Sequence, residues 1–286
     1  RQRQMCIRDS DYATWEAWLA DPRIVHIFVS NLDEKQNSTK VSPIPVGMNP
    51  RESYTARFLH SSVDDHLKQR RYSPIMDRPL KVRYCNRIRP PNMTKGAGRW
   101  KRRPGEYNIR LLAQHACETA WKEWCGPGST PCGTSYLDEI SKYPFVLCAR
   151  GGGLQDGNPQ AWSALLAGSI PIIQRFPGDS IYDGLPVVLL DDLPSDQLTP
   201  ANLRRWRATF APAFEGDRRR AVLETLTADH WWGKITRAWT QNGTRPWVAR
   251  DKDDEATSSD MQWEMVDATG MTMKKWEKKR LKILRY

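Results

Sequence analysis

The sequence lacks any long hydrophobic run. Its longest apolar patches, at 170–173 and 186–190, have only the length of a strand, whereas a membrane-spanning helix needs about 18–20 apolar residues. The chain of 286 residues is 39% hydrophobic and 27% charged, which is a composition that can fill a globular core. It therefore excludes a collagen-like chain, a disulfide miniprotein and a chain that is disordered throughout, and we expect no membrane span.

Acidic residues are almost absent from one internal stretch. Residues 67–103 contain thirteen Lys or Arg against one acid, Asp77, and residues 274–286 contain seven bases against Glu277. Because the whole chain carries +11, the remainder is net negative. A basic coat over a whole molecule would indicate nucleic acid, whereas a local cluster fits a phosphate-bearing ligand equally well.

Closely paired cysteines are also missing. The chain has six cysteines but no C-x-x-C pair, so the usual zinc spacing is absent. His115, Cys117, Cys125 and Cys132 would form only an irregular cluster. We therefore expect no metal site, and we expect loop disulfides or buried thiols instead.

The first ten residues match nothing that follows them. They resemble translated sequencing adapter and are excluded from reasoning about the fold, and we expect the natural N-terminus, with any membrane anchor, to lie outside the sequence. Three N-x-[ST] sequons, at Asn37, Asn92 and Asn242, favour a glycoprotein of the Golgi or ER lumen, although coincidence in polar loops would also produce them.

Hydrophobic periodicity predicts an α/β protein. Residues 11–78 are interpreted as the remnant of an N-terminal lobe, 79–242 as a C-terminal lobe and 243–286 as a partly disordered charged tail. The predicted strands are 23–30, 41–47, 80–87, 143–149, 170–174 and 186–191, and the predicted helices are 109–124, 159–167, 199–210 and 218–238.

The most informative segment is 145–192. A strand is followed there by a glycine-rich turn, a helix that begins at Pro159 and stops at Gly168, and a further strand. This order predicts a parallel βαβ unit, and such units bind ligands at the carboxyl ends of their strands. Glycines let the backbone approach a ligand, and the positive end of the following helix stabilises an anion such as a diphosphate.

The same segment resembles the donor-binding lobe of GT-B glycosyltransferases. The nearest relatives look to be the exostosin-like family and the C-terminal domain of ribitol xylosyltransferase. The motifs that match are the glycine loop, the helix reading A-W-S-A-L-L, G-S-I-P-I-I and L-P-V-V. The resemblance implies a GT-B-like fold, with one Rossmann-like C-terminal lobe and an incomplete N-terminal lobe. It also implies transfer of a sugar from a nucleoside-diphosphate sugar, most simply a UDP-sugar, to a glycan acceptor hydroxyl, with no other cofactor.

The resemblance assigns donor binding to the glycine loop and the first turns of the helix. Two positions depart from the family pattern, because Gln160 replaces an arginine and Ser163 replaces a glutamate. Asp156, Asn158 or Asp183 would then supply the missing polar contacts, or donor binding is weak or lost. The donor-binding candidates are Arg150, Gly151, Gly152, Gly153, Asp156, Asn158, Gln160 and Ser163, and the candidate phosphate clamps are Arg89, Lys95, Arg99, Arg102 and Arg103.

A catalytic base is harder to find. His26 and Asp33 are weak candidates, since general-base catalysis needs a positioned partner that the sequence does not identify. Most of the thirteen tryptophans are expected in the core, while Trp162, Trp231 and Trp232 lie near the predicted lobe and could stack on sugar rings. Two alternatives stay open: a degenerate lobe that binds nucleotide or glycan without turnover, and a basic nucleic-acid-binding module. We expect no nucleic-acid partner, because the basic stretch has few interleaved aromatics.

Overall fold

Two parallel sheets of unequal size organise the computed structural model. It describes residues 12–30, 32, 38–48, 58–59, 61–69, 72–84, 104–125, 136–150 and 159–241. The chain divides into two compact units, Arg1–Ala238 and Trp239–Tyr286, and the second unit lies outside the described residues beyond Gln241. The predicted boundary between 78 and 79 stays a prediction.

The smaller sheet follows the first helix. Helix α1 spans Tyr12–Ala20 and precedes strands β1 (Ile27–Ser30) and β2 (Val41–Ile44). The two strands pair in parallel, with Ile27 opposite Val41, and they cover a small cluster built on Trp15 and Leu32. Both predicted strands are confirmed, and β2 ends at Ile44, directly before the second of its two prolines.

The larger sheet has four parallel strands in chain order. They are β3 (Val82–Tyr84), β4 (Phe145–Leu147), β5 (Ile170–Gln174) and β6 (Val188–Leu190). Their registers place Val82 opposite Phe145, Phe145 opposite Ile170, and Ile172 opposite Val188. The prediction of an α/β fold with a parallel sheet is therefore confirmed, and the sheet is compatible with a Rossmann-like lobe.

Helices cover both faces of this sheet, because successive side chains on each strand point to opposite sides. Phe145 and Leu147 lie in one hydrophobic cluster, and Val146 lies in the other. Around the sheet the helices are α2 (Val63–Gln69), α3 (Pro104–Glu118), α4 (Tyr136–Ile140), α5 (Pro159–Leu166), α6 (Pro200–Phe210), α7 (Gly216–Thr225) and α8 (Ala228–Gln241). No helix among the described residues is long and apolar enough to cross a membrane.

Helix α5 forms as the sequence predicts and is the most buried helix. Every residue from Ala161 to Leu166 is buried. Gly168 follows the helix with a φ of +70°, a conformation that favours glycine and ends a helix. A Cβ at Gly168 would lie 3.3 Å from Nη2 of Arg78, so the site also has little room for a side chain.

Two buried arginines hold the turn between α5 and β5. Arg219 donates to the carbonyls of Leu165 and Leu166, both at 2.7 Å, which satisfies two acceptors that a helix end leaves open. Nη1 of Arg78 donates to the carbonyls of Gly168 (2.8 Å) and Tyr143 (3.2 Å). Burial lowers the pKa of Arg78 to about 10, so the group is still cationic at neutral pH.

Two helix predictions need correction. The predicted helix 109–124 begins five residues earlier, at Pro104, and ends at Glu118. The predicted helix 218–238 is two helices, α7 and α8, because Thr227 breaks the run and accepts a hydrogen bond from the backbone N–H of His230 at 3.3 Å, as an N-cap does. Helices α1, α2 and α4 lie outside the four predicted helices.

A disulfide between Cys117 and Cys125 joins the end of α3 to the edge of the sheet. The segment that it closes runs beside β3, where the N–H of Val82 donates to the carbonyl of Trp124 at 2.7 Å. The expectation of loop disulfides or buried thiols is confirmed for these residues and for Cys148, a buried free thiol. Cys85 and Cys132 lie outside the described residues.

Candidate functional site at the carboxyl edge of the sheet

The carboxyl ends of the four parallel strands bring polar side chains from distant parts of the chain to one edge. Tyr84 ends β3, Arg150 lies three residues beyond β4, Gln174 ends β5 and Asp191 follows β6. Ligands of open parallel α/β sheets bind outside this edge. A ligand-binding site is therefore expected at this edge.

A continuous row of hydrogen bonds runs along this edge. The hydroxyl of Tyr84 donates to the carbonyl of Arg110 at 2.6 Å, and Nε of Arg110 donates to the carbonyl of Arg150 at 3.2 Å. Nε of Arg150 donates to Oε1 of Gln174 at 3.1 Å, and Nε2 of Gln174 donates to the carbonyl of Asp191 at 3.3 Å. We call these five residues the edge row. They fix two guanidinium groups beside the strand ends.

A third arginine at the same edge has different surroundings. Nη1 of Arg175 lies 3.1 Å from the carboxylate of Asp179, and its Nε lies 3.3 Å from that of Asp191. Arg175 is 55% exposed. Its charge is thus balanced by two carboxylates in water, where such pairs contribute little, and it makes a natural control for Arg150.

The first turn of α5 lies next along the chain from Arg150. Pro159 and Gln160 are half-buried there. Ser163 is buried one turn further on, with 1% of its surface exposed, which leaves little of its side chain for a ligand. Asp183, the alternative source of polar contacts, is exposed just after a short 3-10 turn at 179–182.

Most of the other predicted site residues lie outside the described residues. These are Asp33, the glycine loop with Gly151, Gly152, Gly153, Asp156 and Asn158, and the clamp candidates Arg89, Lys95, Arg99, Arg102 and Arg103. Their roles stay predictions. The described chain does bring both ends of the glycine loop, Arg150 and Pro159, to the carboxyl side of β4.

His26 lies directly before β1 of the smaller sheet. Its Nε2 lies 2.8 Å from Oγ of Ser42 on β2, and its ring lies 4.8 Å from that of Phe28. Partial burial lowers the pKa of His26, so the imidazole is neutral at pH 7 and able to accept a proton. A hydroxyl is its described partner, and its part in catalysis stays a prediction.

Sequence reasoning missed Arg110 and Gln174. Arg110 lies forty residues before Arg150, in a helix predicted to begin at Ile109, and it lies outside the basic stretch 67–103. Gln174 is the last residue of a correctly predicted strand. A polar side chain at the carboxyl end of a predicted parallel strand can therefore indicate a site residue such as Gln174. No local sequence feature indicates that Arg110 lies at the same edge.

No group of three His, Cys, Asp or Glu within the described ranges is arranged to hold a metal ion. In comparisons with known proteins, the chain matches no family model and no curated protein. The carboxyl edge must therefore be interpreted from its own chemistry.

Proposed function

We propose that this protein is a glycosyltransferase that binds a nucleoside-diphosphate sugar at the carboxyl edge of its four-stranded sheet and transfers the sugar to a glycan hydroxyl. The edge row carries the proposal, because it sets the guanidinium groups of Arg110 and Arg150 beside the strand ends. Guanidinium groups bind phosphate oxygens in a bidentate manner.

The chemistry of sugar transfer explains why cations belong at this edge. When the bond between the anomeric carbon and the diphosphate oxygen breaks, negative charge grows on the departing nucleoside diphosphate. Fixed donors and cations that face this charge lower the barrier, since they need no reorganisation during the reaction. Arg110 and Arg150 would supply charge, and the first turn of α5 would add the positive end of its dipole.

The hydrogen bonds within the edge row support a binding role. The amide oxygen of Gln174 accepts a hydrogen bond from Nε of Arg150 at 3.1 Å and so fixes the position of this guanidinium. Gln174 is held in turn by the carbonyl of Asp191. Such support keeps a binding group in one rotamer and reduces the entropy that is lost when a ligand binds.

A secretory-pathway lumen is the compartment that we propose. The Cys117–Cys125 disulfide and three sequons support it, because disulfides persist in oxidising compartments and sequons are acceptors for glycans there. Mass mapping of the protein from a secretory host tests this. Unmodified Asn37, Asn92 and Asn242 together with free thiols at Cys117 and Cys125 would contradict the assignment.

Thermal unfolding with UDP tests the donor site. We expect UDP at a concentration well above its Kd to raise the Tm, because a ligand that binds the folded state alone stabilises it. Gly152→Trp should abolish the shift by filling the glycine loop. If no nucleoside diphosphate or sugar nucleotide shifts the melting curve, the proposal fails.

A second candidate is a degenerate lobe that binds nucleotide without turnover. The burial of Ser163, where the resembling enzymes carry a glutamate, favours it. Hydrolysis of UDP-sugars by the purified protein distinguishes the two functions. A UDP-dependent Tm shift with no hydrolysis of UDP-sugars would favour the degenerate lobe.

A further inference from the structure

A second concave site lies between the segment after β2 and the beginning of α8. We call it the aromatic groove. Its walls are formed by Ile44–Met48 and by the stretch from Leu226 to Ile235, with Leu59 at one side and Trp162 of α5 contributing to the lining. Its volume is about 520 Å³, within the range of roughly 300–1,000 Å³ typical of small-molecule sites.

Two of the tryptophans in the groove are held rigidly. Trp162 stacks on Tyr182 with ring centroids 5.1 Å apart, and meets the edge of Trp231 at 6.1 Å. Nε1 of Trp231 donates to the carbonyl of Thr225 at 2.9 Å, and Nζ of Lys234 lies 4.5 Å from its ring. These rings are therefore fixed before any ligand arrives, which lowers the entropic cost of binding.

A third tryptophan is exposed at the same groove. Trp232 is 53% exposed and Leu59 is 46% exposed. They are two of the six large hydrophobic side chains exposed on the described part of the chain, and both line the aromatic groove. Clustered exposed apolar surface of this kind marks a binding site more often than scattered single residues do.

One residue of the lining, Trp162, has a buried donor without an acceptor in the described part of the chain. Trp162 is 1% exposed, and its Nε1 has no hydrogen-bond partner among the described residues. A buried N–H without an acceptor lowers the stability of the fold, and such unsatisfied donors are rare in native proteins. The carboxylate of Asp229 adds an acceptor to the same lining.

We propose that the aromatic groove binds a saccharide. A pyranose ring has an apolar face of C–H groups and a rim of hydroxyls. Its C–H face would cover the exposed ring of Trp232, which removes apolar surface from water. Its hydroxyls would donate to Asp229 and accept from Nε1 of Trp162.

This inference rests on the proposed function. In that function the groove is a subsite of the protein that binds one sugar of the acceptor glycan. Trp162 connects the two sites, because it belongs to α5, whose first turn follows the glycine loop at the carboxyl side of β4. A purely apolar peptide segment is a poorer occupant, since it would leave the Trp162 N–H and the Asp229 carboxylate desolvated without hydroxyl partners.

Saturation-transfer NMR on the full chain tests the proposal. The probes are methyl β-D-glucopyranoside, methyl β-D-galactopyranoside and methyl β-D-xylopyranoside at millimolar concentration, with uridine as an aromatic comparison. We expect at least one glycoside to receive saturation from the protein. Trp232→Ala should raise the Kd of that glycoside by about tenfold or more. Asp229→Asn should also weaken glycoside binding, although it removes no apolar contact.

The control is Trp18→Ala, which removes another partly exposed tryptophan, one on α1 and outside the groove. It should leave the glycoside signal unchanged. Absence of signal from every glycoside, equal signal in Trp232→Ala, or binding of uridine alone would each overturn the proposal.

The UDP-dependent Tm shift, measured on the same proteins, separates this proposal from the proposed function. UDP binding with no glycoside binding refutes the saccharide groove alone. Glycoside binding that depends on Trp232, with no response to any nucleotide, refutes the transferase and leaves the groove as a saccharide site.

Discussion

At the scale of single residues, Arg78 connects more of the large sheet than any residue singled out from the sequence. Its side chain is buried and donates to the carbonyls of Ser73, Tyr143 and Gly168 and to Oγ of Ser169. Tyr143 directly precedes β4, and Gly168 and Ser169 directly precede β5, so these contacts lie at the amino ends of the two strands. A buried guanidinium that serves several carbonyls is a structural group, and it leaves the opposite, carboxyl edge for binding.

Replacing Arg78 with Met should destabilise the fold strongly. The change leaves buried carbonyls without donors, and each such group costs about 1–3 kcal/mol. We expect the free energy of unfolding in urea to fall by roughly 3 kcal/mol or more. Arg220→Met is the matched control, because Arg220 is 42% exposed and pairs with Asp64 on the surface, where ion pairs contribute little, so its loss should lower the free energy of unfolding much less. Equal losses in the two variants would contradict this role of Arg78.

His26 should make the protein less stable in mild acid. Burial lowers its pKa from 6.5 in the folded state, so the unfolded chain binds the proton first as the pH falls. Stability that is present above pH 6.5 is therefore lost as the pH drops through the lower, folded-state pKa. Urea unfolding at pH 7.5 and pH 5 measures the loss. The decrease should be smaller in His26→Gln, and an unchanged or larger decrease would contradict the assignment.

At the scale of elements, the sequence predicts those parts whose signals are local. Helix α6 begins at Pro200, after Thr199 accepts the N–H of Asn202 at 3.2 Å, and such caps are readable from the sequence. The apolar residues continue across the division between α7 and α8, so periodicity alone predicts one helix there. The local signal for the division is Thr227, a residue type that caps helices. Helix α1 was missed because its apolar residues show almost no helical periodicity.

The Cys117–Cys125 disulfide is the covalent link between α3 and the segment beside β3. Its cysteines are separated by eight positions, and closing a loop of this length in the unfolded chain stabilises the fold by about 2.5 kcal/mol. We expect the double variant Cys117→Ser/Cys125→Ser to lose about that much in urea unfolding. A reducing agent should destabilise the wild type and leave the double variant unchanged. A reductant effect of equal size in both proteins would exclude this disulfide as its source.

At the scale of the whole molecule, the parallel sheet could be predicted because its strands are short apolar runs bounded by turn residues. The edge row could be predicted only in part, since Tyr84, Arg110, Arg150, Gln174 and Asp191 converge through tertiary structure. The four strands keep their chain order without reversal, so the described sheet by itself has no switch point of the kind at which doubly wound folds bind nucleotides. A GT-B arrangement therefore stays a prediction that rests on the resemblance of segment 145–192.

In the proposed function, Arg150, held by Gln174, binds a diphosphate at the carboxyl edge. Calorimetric titration of UDP into the wild type, Arg150→Ala and Arg175→Ala tests it most directly. Loss of a charged hydrogen-bonding group costs about 1.5–3 kcal/mol, so we expect Arg150→Ala to weaken binding by about tenfold or more. Arg175→Ala should bind UDP as the wild type does, because Asp179 and Asp191 already balance that charge. Equal affinity for UDP in all three proteins, or no binding of UDP to the wild type, would contradict this role of Arg150.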